Sequence, residues 1–532
     1  MSRIDRIKAM FSRRMLGMQL TAVVFGLFNV TSYAPFGIFI FSIVSPLILL
    51  MILTGRTTIN FDKKQLIVFR KKEQITSGKV AFYLSWLYGF AFFLGGVHWI
   101  YVSISQYGSA GALGGIAVVL FLSAALAIYT GLAGLILWKV YSKSGHSHIL
   151  ITALLFPAIW VLMELARSYL FTGFPWLILG NSVIDGQFAA LLPVVGSYGV
   201  SFILISIVSS LFVLLIAETK IARAVAIIFI MAIFLVAKNF SGILWTKGLD
   251  KKITASVVQG NIAQDEKWKL ENRIPTIELY YNLSEPLWKT SDVIVWPETA
   301  IPSFYTLVEE YVFYLSQKAS AEDKALIFGI INNVDHTVFY NSVMQVGKNT
   351  GEYRKQHLVM FGEYLPLRQF FSDFLDFLGA PMSDLAHGKT GQPPFETAGY
   401  KAGVSVCFEI AFSGLINNMA GNSNFLVNIS NDGWFGTSIG PHQHFQIARV
   451  RAAETGKPLI RSTNTGISAI IDADGAVIKR TKQFEQEVAT ASFMPRAGNT
   501  PYVEYGDLPV LILSLTIFIL TVTISYKRKK SG

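Results

Sequence analysis

Asp292-Val293-Ile294-Val295-Trp296-Pro297-Glu298-Thr299-Ala300 decides the fold class of the second half of this 532-residue chain. Its apolar, β-branched run is short and stops at a proline, which predicts a strand buried on both faces. Similar runs recur at Ile253–Gln259, Ala325–Ile331, Ser342–Val346, Ala402–Cys407, Phe425–Ile429, Pro458–Ser462 and Ser468–Ile471. Helical stretches fall between several of them, at 266–285, 303–319 and 440–455. Asp472-Ala473-Asp474-Gly475 predicts a hairpin turn. The alternation predicts one α/β domain over 248–500, its strands covered by helical layers.

Upstream the composition changes. The whole chain is 52% hydrophobic and 15% charged, with mean hydropathy +0.46. Soluble domains carry about 25% charged residues, so part of this chain must face lipid. Apolar stretches long enough to span a bilayer fall at 18–33, 35–53, 80–103, 112–138, 149–167, 188–216 and 221–242, with an eighth at 508–526. The first two are parted by the tight turn Ala34-Pro35-Phe36-Gly37.

Net charge is +11. Residues 1–244 hold 18 Lys/Arg against 6 Asp/Glu, residues 245–526 hold 23 against 28, and Lys527-Arg528-Lys529-Lys530 follows. Basic charge beside apolar segments orients membrane helices and argues against a nucleic-acid partner. Arg3, Arg6, Lys8, Arg13 and Arg14, then Arg56, Lys63, Lys64, Arg70, Lys71 and Lys72, then Lys139 and Lys143, then Lys220 and Arg223, and the basic tail all share one side if there are eight spans. That predicts cytoplasmic termini. The division is 1–244 with seven transmembrane helices, an extramembrane 245–505, and 506–532 as a last span and tail. The N-terminus reads as a retained first helix rather than a cleaved signal. Cys407 is the only cysteine, so no intrachain disulfide forms.

Two features of the spans stand out. Glu164 and Arg167 are three apart on one helix and can pair, as a structural ion pair or in a polar cavity. Thr172-Gly173-Phe174-Pro175-Trp176 reads as a re-entrant turn or an interfacial aromatic anchor. Beyond the spans, the stretch 364–390 puts Leu367, Phe370, Phe371, Phe374 and Phe377 or Leu378 on one helical face, either packed on its own domain or leaning on the bilayer as a lid.

Chemistry is expected where polar residues end strands. Glu298 follows Trp296-Pro297, Cys407 closes its strand before Phe408-Glu409, and between them lies Arg354-Lys355-Gln356-His357 through Phe361-Gly362-Glu363. Each has a plain structural reading: a core cysteine, a helix-start carboxylate, a solvated lysine. Together they supply a thiol nucleophile, a carboxylate base and a cation for an oxyanion, the needs of acyl transfer. His442-x-His444 lacks a surrounding ligand cluster and reads as packing rather than a metal site. Asn431-Asp432-Gly433 reads as a turn, and Trp434-Phe435 after it as part of a substrate loop.

The Glu-Lys-Cys set resembles the nitrilase, or carbon–nitrogen hydrolase, superfamily. Over the whole chain the pattern resembles the apolipoprotein N-acyltransferase family. The resemblance rests on Val258-Gln259-Gly260-Asn261 with Lys267-Trp268, Trp296-Pro297-Glu298-Thr299, His357-Leu358-Val359 through Glu363, Cys407-Phe408-Glu409, Asn431-Asp432-Gly433-Trp434, Gly440-Pro441-His442-Gln443-His444 and Arg461-Ser462-Thr463-Asn464, together with Trp99 through Ser103 and Thr172 through Trp176 in the apolar half.

The resemblance implies a membrane bundle of eight helices carrying a nitrilase-like αββα sandwich. Its implied roles are Glu298 as general base, Lys355 for the oxyanion and Cys407 as nucleophile, with Glu363 near the lysine and thiol. Glu409, Trp268, Phe408 and Trp434 would be further functional positions. It implies no cofactor and no metal, a phospholipid acyl donor, a diacylglyceryl apolipoprotein acceptor, contact with membrane lipid, and a bacterial inner membrane with the 245–505 domain in the periplasm. Met360 and Phe408 depart from the family's usual proline and tyrosine, and Phe408 lacks a hydroxyl. A membrane-tethered amidase acting on a small C–N substrate and a non-enzymatic membrane scaffold or transporter are the alternatives.

Overall fold

In the computed structural model, which describes residues 13–55, 57–58, 68–69, 75, 77–108, 110–143, 148–334, 337–360, 362–364 and 385–531, the 292–300 stretch holds a strand facing two cores. Val293 and Val295 point into a layer between two sheets, and Ile294 points at helices, the alternation a strand imposes.

The first sheet is built from β1 (Ile253–Gln259), β2 (Val293–Val295), β3 (Ala325–Val334), β4 (Val338–Gly347) and β5 (Gly351–Arg354). The second is built from β6 (Phe395–Thr397), β7 (Tyr400–Val406), β8 (Phe425–Ser430), β9 (Leu459–Thr463), β10 (Ala469–Ile471) and β11 (Val477–Arg480), and β12 (Glu487–Phe493) returns to the first. Their orders are β12-β1-β2-β3-β4-β5 and β11-β10-β9-β8-β7-β6. In each sheet three neighbouring strands run parallel, β1-β2-β3 and β7-β8-β9, and antiparallel strands flank them.

Val257, Val295 and Ile327 meet Val404, Val427 and Ile460 between the sheets. Helices Leu270–Ser284 and Glu309–Ala321 cover the first sheet with Ile277, Tyr280 and Leu315. Helices Ser413–Gly421 and Gly440–Thr455 cover the second with Ile416, Ala420, Ala448 and Ala452. Each large aliphatic side chain so buried contributes roughly 1.5–3 kcal/mol.

That last helical layer also packs on the apolar half, because Phe92, Phe93, Val97, Trp99 and Trp176 share its core. Polar contacts join the same halves. Ala34 N–H donates to Gln446 Oε1 at 3.1 Å, and Trp176 Nε1 to Gln443 Oε1 at 2.7 Å. The helix Leu192–Ile216 is broken at Gly196 (φ 65°), and the freed Ser197 N–H donates to the Glu454 carboxylate at 2.6 Å. Arg451 pairs with Glu454 there.

The apolar half has helices at Arg13–Val30, Phe41–Leu53, Gly78–Val97, Gly111–Lys143, His148–Tyr169, Leu192–Ile216 and Lys220–Phe240, and Leu508–Ser531 follows the α/β half. Among the described residues, six of these are long and apolar enough to cross a membrane; Met15–Val30 and Phe41–Leu53 are shorter apolar helices. The expected span at 35–53 is helical only from Phe41, since the turn around Pro35 and Gly37 occupies its start. The expected span at 80–103 stops at Val97 and restarts as Ile100–Gln106, with Trp99 between them turned onto Trp176 and Phe435.

The Thr172–Trp176 stretch is more than an anchor: Trp176 is fully buried against Phe408, Phe435 and His444 of the α/β half. Glu164 and Arg167 hold this loop. Arg167 Nη1 donates to the carbonyls of Phe174 and Trp176 at 2.7 and 2.5 Å, and Glu164 Oε1 accepts from Leu179 N–H at 3.0 Å. Most of the basic stretches at 1–14 and 56–72, and the core of the apolar face expected within 364–390, lie outside the described residues.

Candidate active site

Glu298 lies just past the end of β2, on a turn pressed against β3. A Cβ on Gly329 would come within 2.4 Å of Thr299 N and 2.7 Å of Glu298 Cα, so only glycine lets the turn lie there. Thr299 takes φ +47°, and Lys267 secures it, donating from Nζ to Glu298 O at 2.9 Å and to Thr299 Oγ1 at 2.6 Å. Burial draws the Lys267 ammonium down to about 8, opposed by Glu298. Glu298 Oε1 accepts from Asn341 Nδ2 at 2.7 Å and lies 3.8 Å from Lys355 Nζ.

Lys355 follows β5 and is 1% exposed, so it is no solvated lysine. Its Nζ meets both oxygens of Glu363, at 2.9 and 2.7 Å. Glu363 also accepts from Val359 N–H at 2.8 Å and Asn341 Nδ2 at 2.9 Å. Burial alone would discharge Lys355, but Glu363 and Glu298 outweigh it and hold the ammonium well above its usual range. One buried cation thus sits between two carboxylates, with Asn341 bridging them.

Cys407 directly follows β7 and opens the short helix Cys407–Ala411 at φ +51°, a conformation that costs energy outside glycine. Glu409, fully buried, fixes this elbow. It accepts from the N–H groups of Val406, Gln356 and His357 at 2.8, 2.7 and 2.9 Å, and from Tyr353 Oη. One carboxylate therefore ties the cysteine turn to the loop after Lys355. Burial, reinforced by Glu298, pushes the Cys407 thiol up to about 12 against the pull of Lys355. Glu298, Lys355, Glu363, Cys407 and Glu409 are thus brought together from the three connections that follow β2, β5 and β7.

Phe408 packs on the apolar half, its ring 5.9 Å from Trp176 and 6.2 Å from Phe174. Trp434 borders the same half: its carbonyl accepts from Ser103 Oγ at 2.7 Å and its ring meets Tyr107 edge-on. Trp268 is half-buried on the turn after Lys267. Among the described contacts none joins Trp268 or Trp434 to Glu298, Lys355 or Cys407.

Sequence reading assigned no role to Lys267 alone, to Asn341 or to a buried cluster around the Cys407 carbonyl. In that cluster His444 Nε2 lies 3.2 Å from Cys407 O, and His444 Nδ1 lies 2.9 Å from Asp432 Oδ1. Arg461 Nη2 pairs with Asp432 Oδ2 at 2.9 Å. One signal was available: an arginine inside Leu459-Ile460-Arg461-Ser462-Thr463 must find a partner once that strand is buried. Among the described residues no group of three or more His, Cys, Asp or Glu could hold a metal ion.

A family model described as carbon–nitrogen hydrolase matches residues 254–502, and one described as apolipoprotein N-acyltransferase N-terminal domain matches 25–211. The apolipoprotein N-acyltransferase of Methylococcus capsulatus is 34% identical over 494 residues, covering 92% of this chain and 93% of its own. That of Vibrio vulnificus is 33% identical over 505 residues, covering 93% and 94%. That of Pseudomonas aeruginosa is 35% identical over 439 residues, covering 81% and 85%. A solved carbon–nitrogen hydrolase from Helicobacter pylori G27 aligns with 49% of this chain and 94% of its own at 20% identity and TM-score 0.36.

Proposed function

This chain belongs to the apolipoprotein N-acyltransferase family, and from that premise we propose that a phospholipid's fatty acyl chain passes through a thioester on Cys407 to the α-amino group of a lipoprotein's N-terminal diacylglyceryl-cysteine. The observation that carries this reading is the convergence of Glu298, Lys355 and the chain's only thiol beside aromatic side chains of the apolar half. That junction suits two lipid-anchored substrates using one site in turn.

With its pKa raised, the resting thiol is protonated, and attack needs a base. Glu298 takes the proton as sulfur bonds to the ester carbonyl carbon. The carbonyl oxygen becomes an oxyanion, stabilised by Lys355 Nζ and the Phe408 N–H. Collapse breaks the ester C–O bond, Glu298 protonates the departing lysophospholipid oxygen, and the acyl group stays on sulfur. The lipoprotein amine then attacks the thioester and yields a proton to Glu298, which the leaving thiolate takes back.

Phospholipid labelled in one acyl chain, incubated with the full chain and a diacylglyceryl lipopeptide, should place the label on the lipopeptide amine. Label recovered only as free fatty acid would overturn the reading in favour of an amidase-like hydrolase.

The eight apolar helices are proposed as eight spans of a bacterial inner membrane, seven within 1–244 and one within 506–532, holding 245–505 in the periplasm. The one-sided Lys/Arg pattern supports this. A reporter fused after Lys247 should read as periplasmic and one after Lys530 as cytoplasmic; the same side for both would sink the arrangement.

A further inference from the structure

The carbonyl of Cys407 receives two side-chain donors, His444 Nε2 at 3.2 Å and Asn428 Nδ2 at 3.4 Å. Both are anchored to one guanidinium. Arg461 Nη1 donates to Asn428 Oδ1, and Arg461 Nη2 lies 2.9 Å from His444 Nδ1 and 2.9 Å from Asp432 Oδ2. Asn428, Asp432, His444 and Arg461 are all buried to within 1%.

A carbonyl oxygen only accepts, so Nε2 carries the imidazole proton. Burial, with Arg461, holds the His444 pKa down. Its Nδ1 lies 2.9 Å from Arg461 Nη2 and 2.9 Å from Asp432 Oδ1, so both groups anchor the ring. Three elements are spent on a single carbonyl: β8 supplies Asn428, the helix Gly440–Thr455 supplies His444, and β9 supplies Arg461.

We propose that His444, held by Arg461 and Asp432, is a positioning residue that grips the Cys407–Phe408 peptide by its carbonyl and thereby aims and polarises the Phe408 N–H toward the oxyanion. A trans peptide is planar, so its carbonyl and N–H point opposite ways, and fixing one fixes the other. Hydrogen bonds accepted at the carbonyl strengthen the same peptide's N–H as a donor. Phe408 lies in the first turn of the helix Cys407–Ala411, where an N–H has no helical acceptor. The inference rests on the thioester reading of Cys407.

The test compares His444→Gln, which can keep a donor at the Nε2 position, with His444→Asn, which cannot. Single-turnover acylation by phospholipid is measured on the full chain in detergent, beside alkylation of Cys407 by iodoacetamide, a displacement that develops no oxyanion. Weakening one oxyanion donor should slow acylation by His444→Asn about tenfold or more, while His444→Gln stays within about threefold of wild type. Alkylation should stay within about twofold of wild type in both, because the thiol itself is untouched. Asn428→Ser, lacking the other donor, should split the two reactions the same way, and it carries the test if His444→Asn does not fold.

Equal loss of acylation and alkylation, or Gln rescuing no better than Asn, would overturn the inference. So would wild-type acylation in His444→Asn. Those results leave the thioester reading standing, whereas a wild-type protein that alkylates at Cys407 but never forms a thioester brings down both.

Discussion

Two buried charge clusters flank Cys407, and they are built differently. Glu298, Lys355 and Glu363 set two carboxylates against one cation, and Glu298 keeps 7% exposure. Asp432, Arg461 and His444 set one carboxylate against one guanidinium with an imidazole in contact with both, and none exceeds 1% exposure. Burial would raise the Asp432 carboxyl, but Arg461 and His444 hold it well below the usual range. An unbalanced cluster can accept and return a proton. A balanced, closed one holds its charge state, and its contribution is geometry. The first should govern rate directly, and the second should carry stability and act on rate only by positioning.

Five measurements sharpen or break that contrast. Cys407→Ala should lose the hydroxylamine-labile acyl adduct completely by intact mass, and an adduct on that variant would remove the thiol from between the clusters. Asp432→Asn leaves Arg461 uncompensated and should cost about 3–5 kcal/mol in thermal or denaturant unfolding. Asp432 has a depressed folded pKa, so its contribution is present at neutral pH. It should disappear as pH falls below the unfolded value of about 3.9 toward the folded one. Wild-type stability should therefore drop more steeply than that of Asp432→Asn under acid.

On the other cluster, Lys355→Ala and Glu298→Gln should each slow thioester formation by ~10²–10³. If either acylates at the wild-type rate, the role assigned to that residue is wrong. The smallest change is expected of Phe408→Tyr. It adds one hydroxyl among Phe174, Trp176 and Phe412, and should shift stability by about 1 kcal/mol or less. A large rate gain in that variant would give the missing hydroxyl a role.

The strands that the sequence reading found and those it missed divide by position. β5, β6, β11 and β12 had no clear signal, and these are the four edge strands of the two sheets. An edge strand is half exposed and needs no unbroken apolar run. Val477–Arg480 ends in Lys-Arg with three of its four residues exposed. The central strands are covered on both faces, so their composition shows in sequence.

The site divides in the same way. Glu298, Lys355 and Cys407 stand just past or at strand ends, where a polar residue after an apolar run is conspicuous. Asn341 and Arg461 sit inside strands and His444 inside a helix, where only their partners reveal them. Those partners come from distant parts of the chain, and no spacing rule links them.

Asp507 stands at the head of the last apolar helix and accepts hydrogen bonds from three hydroxyls. Tyr502 lies at 2.6 Å, Tyr169 of the apolar half at 3.2 Å, and Ser413 of the α/β half at 3.3 Å. The α/β half is thus moored to the apolar half through Asp507 at its C-terminal end as well as along the face that carries Trp176. A fragment beginning at residue 245 and ending before 506 would lose the Asp507 mooring and uncover Ile410, Phe435 and Phe445. Such a fragment is expected to aggregate in water, which light scattering would check. Cys407, Glu298 and the aromatic side chains around Trp176 are thus expected to melt in one transition with the apolar half, which differential scanning calorimetry of the full chain would check.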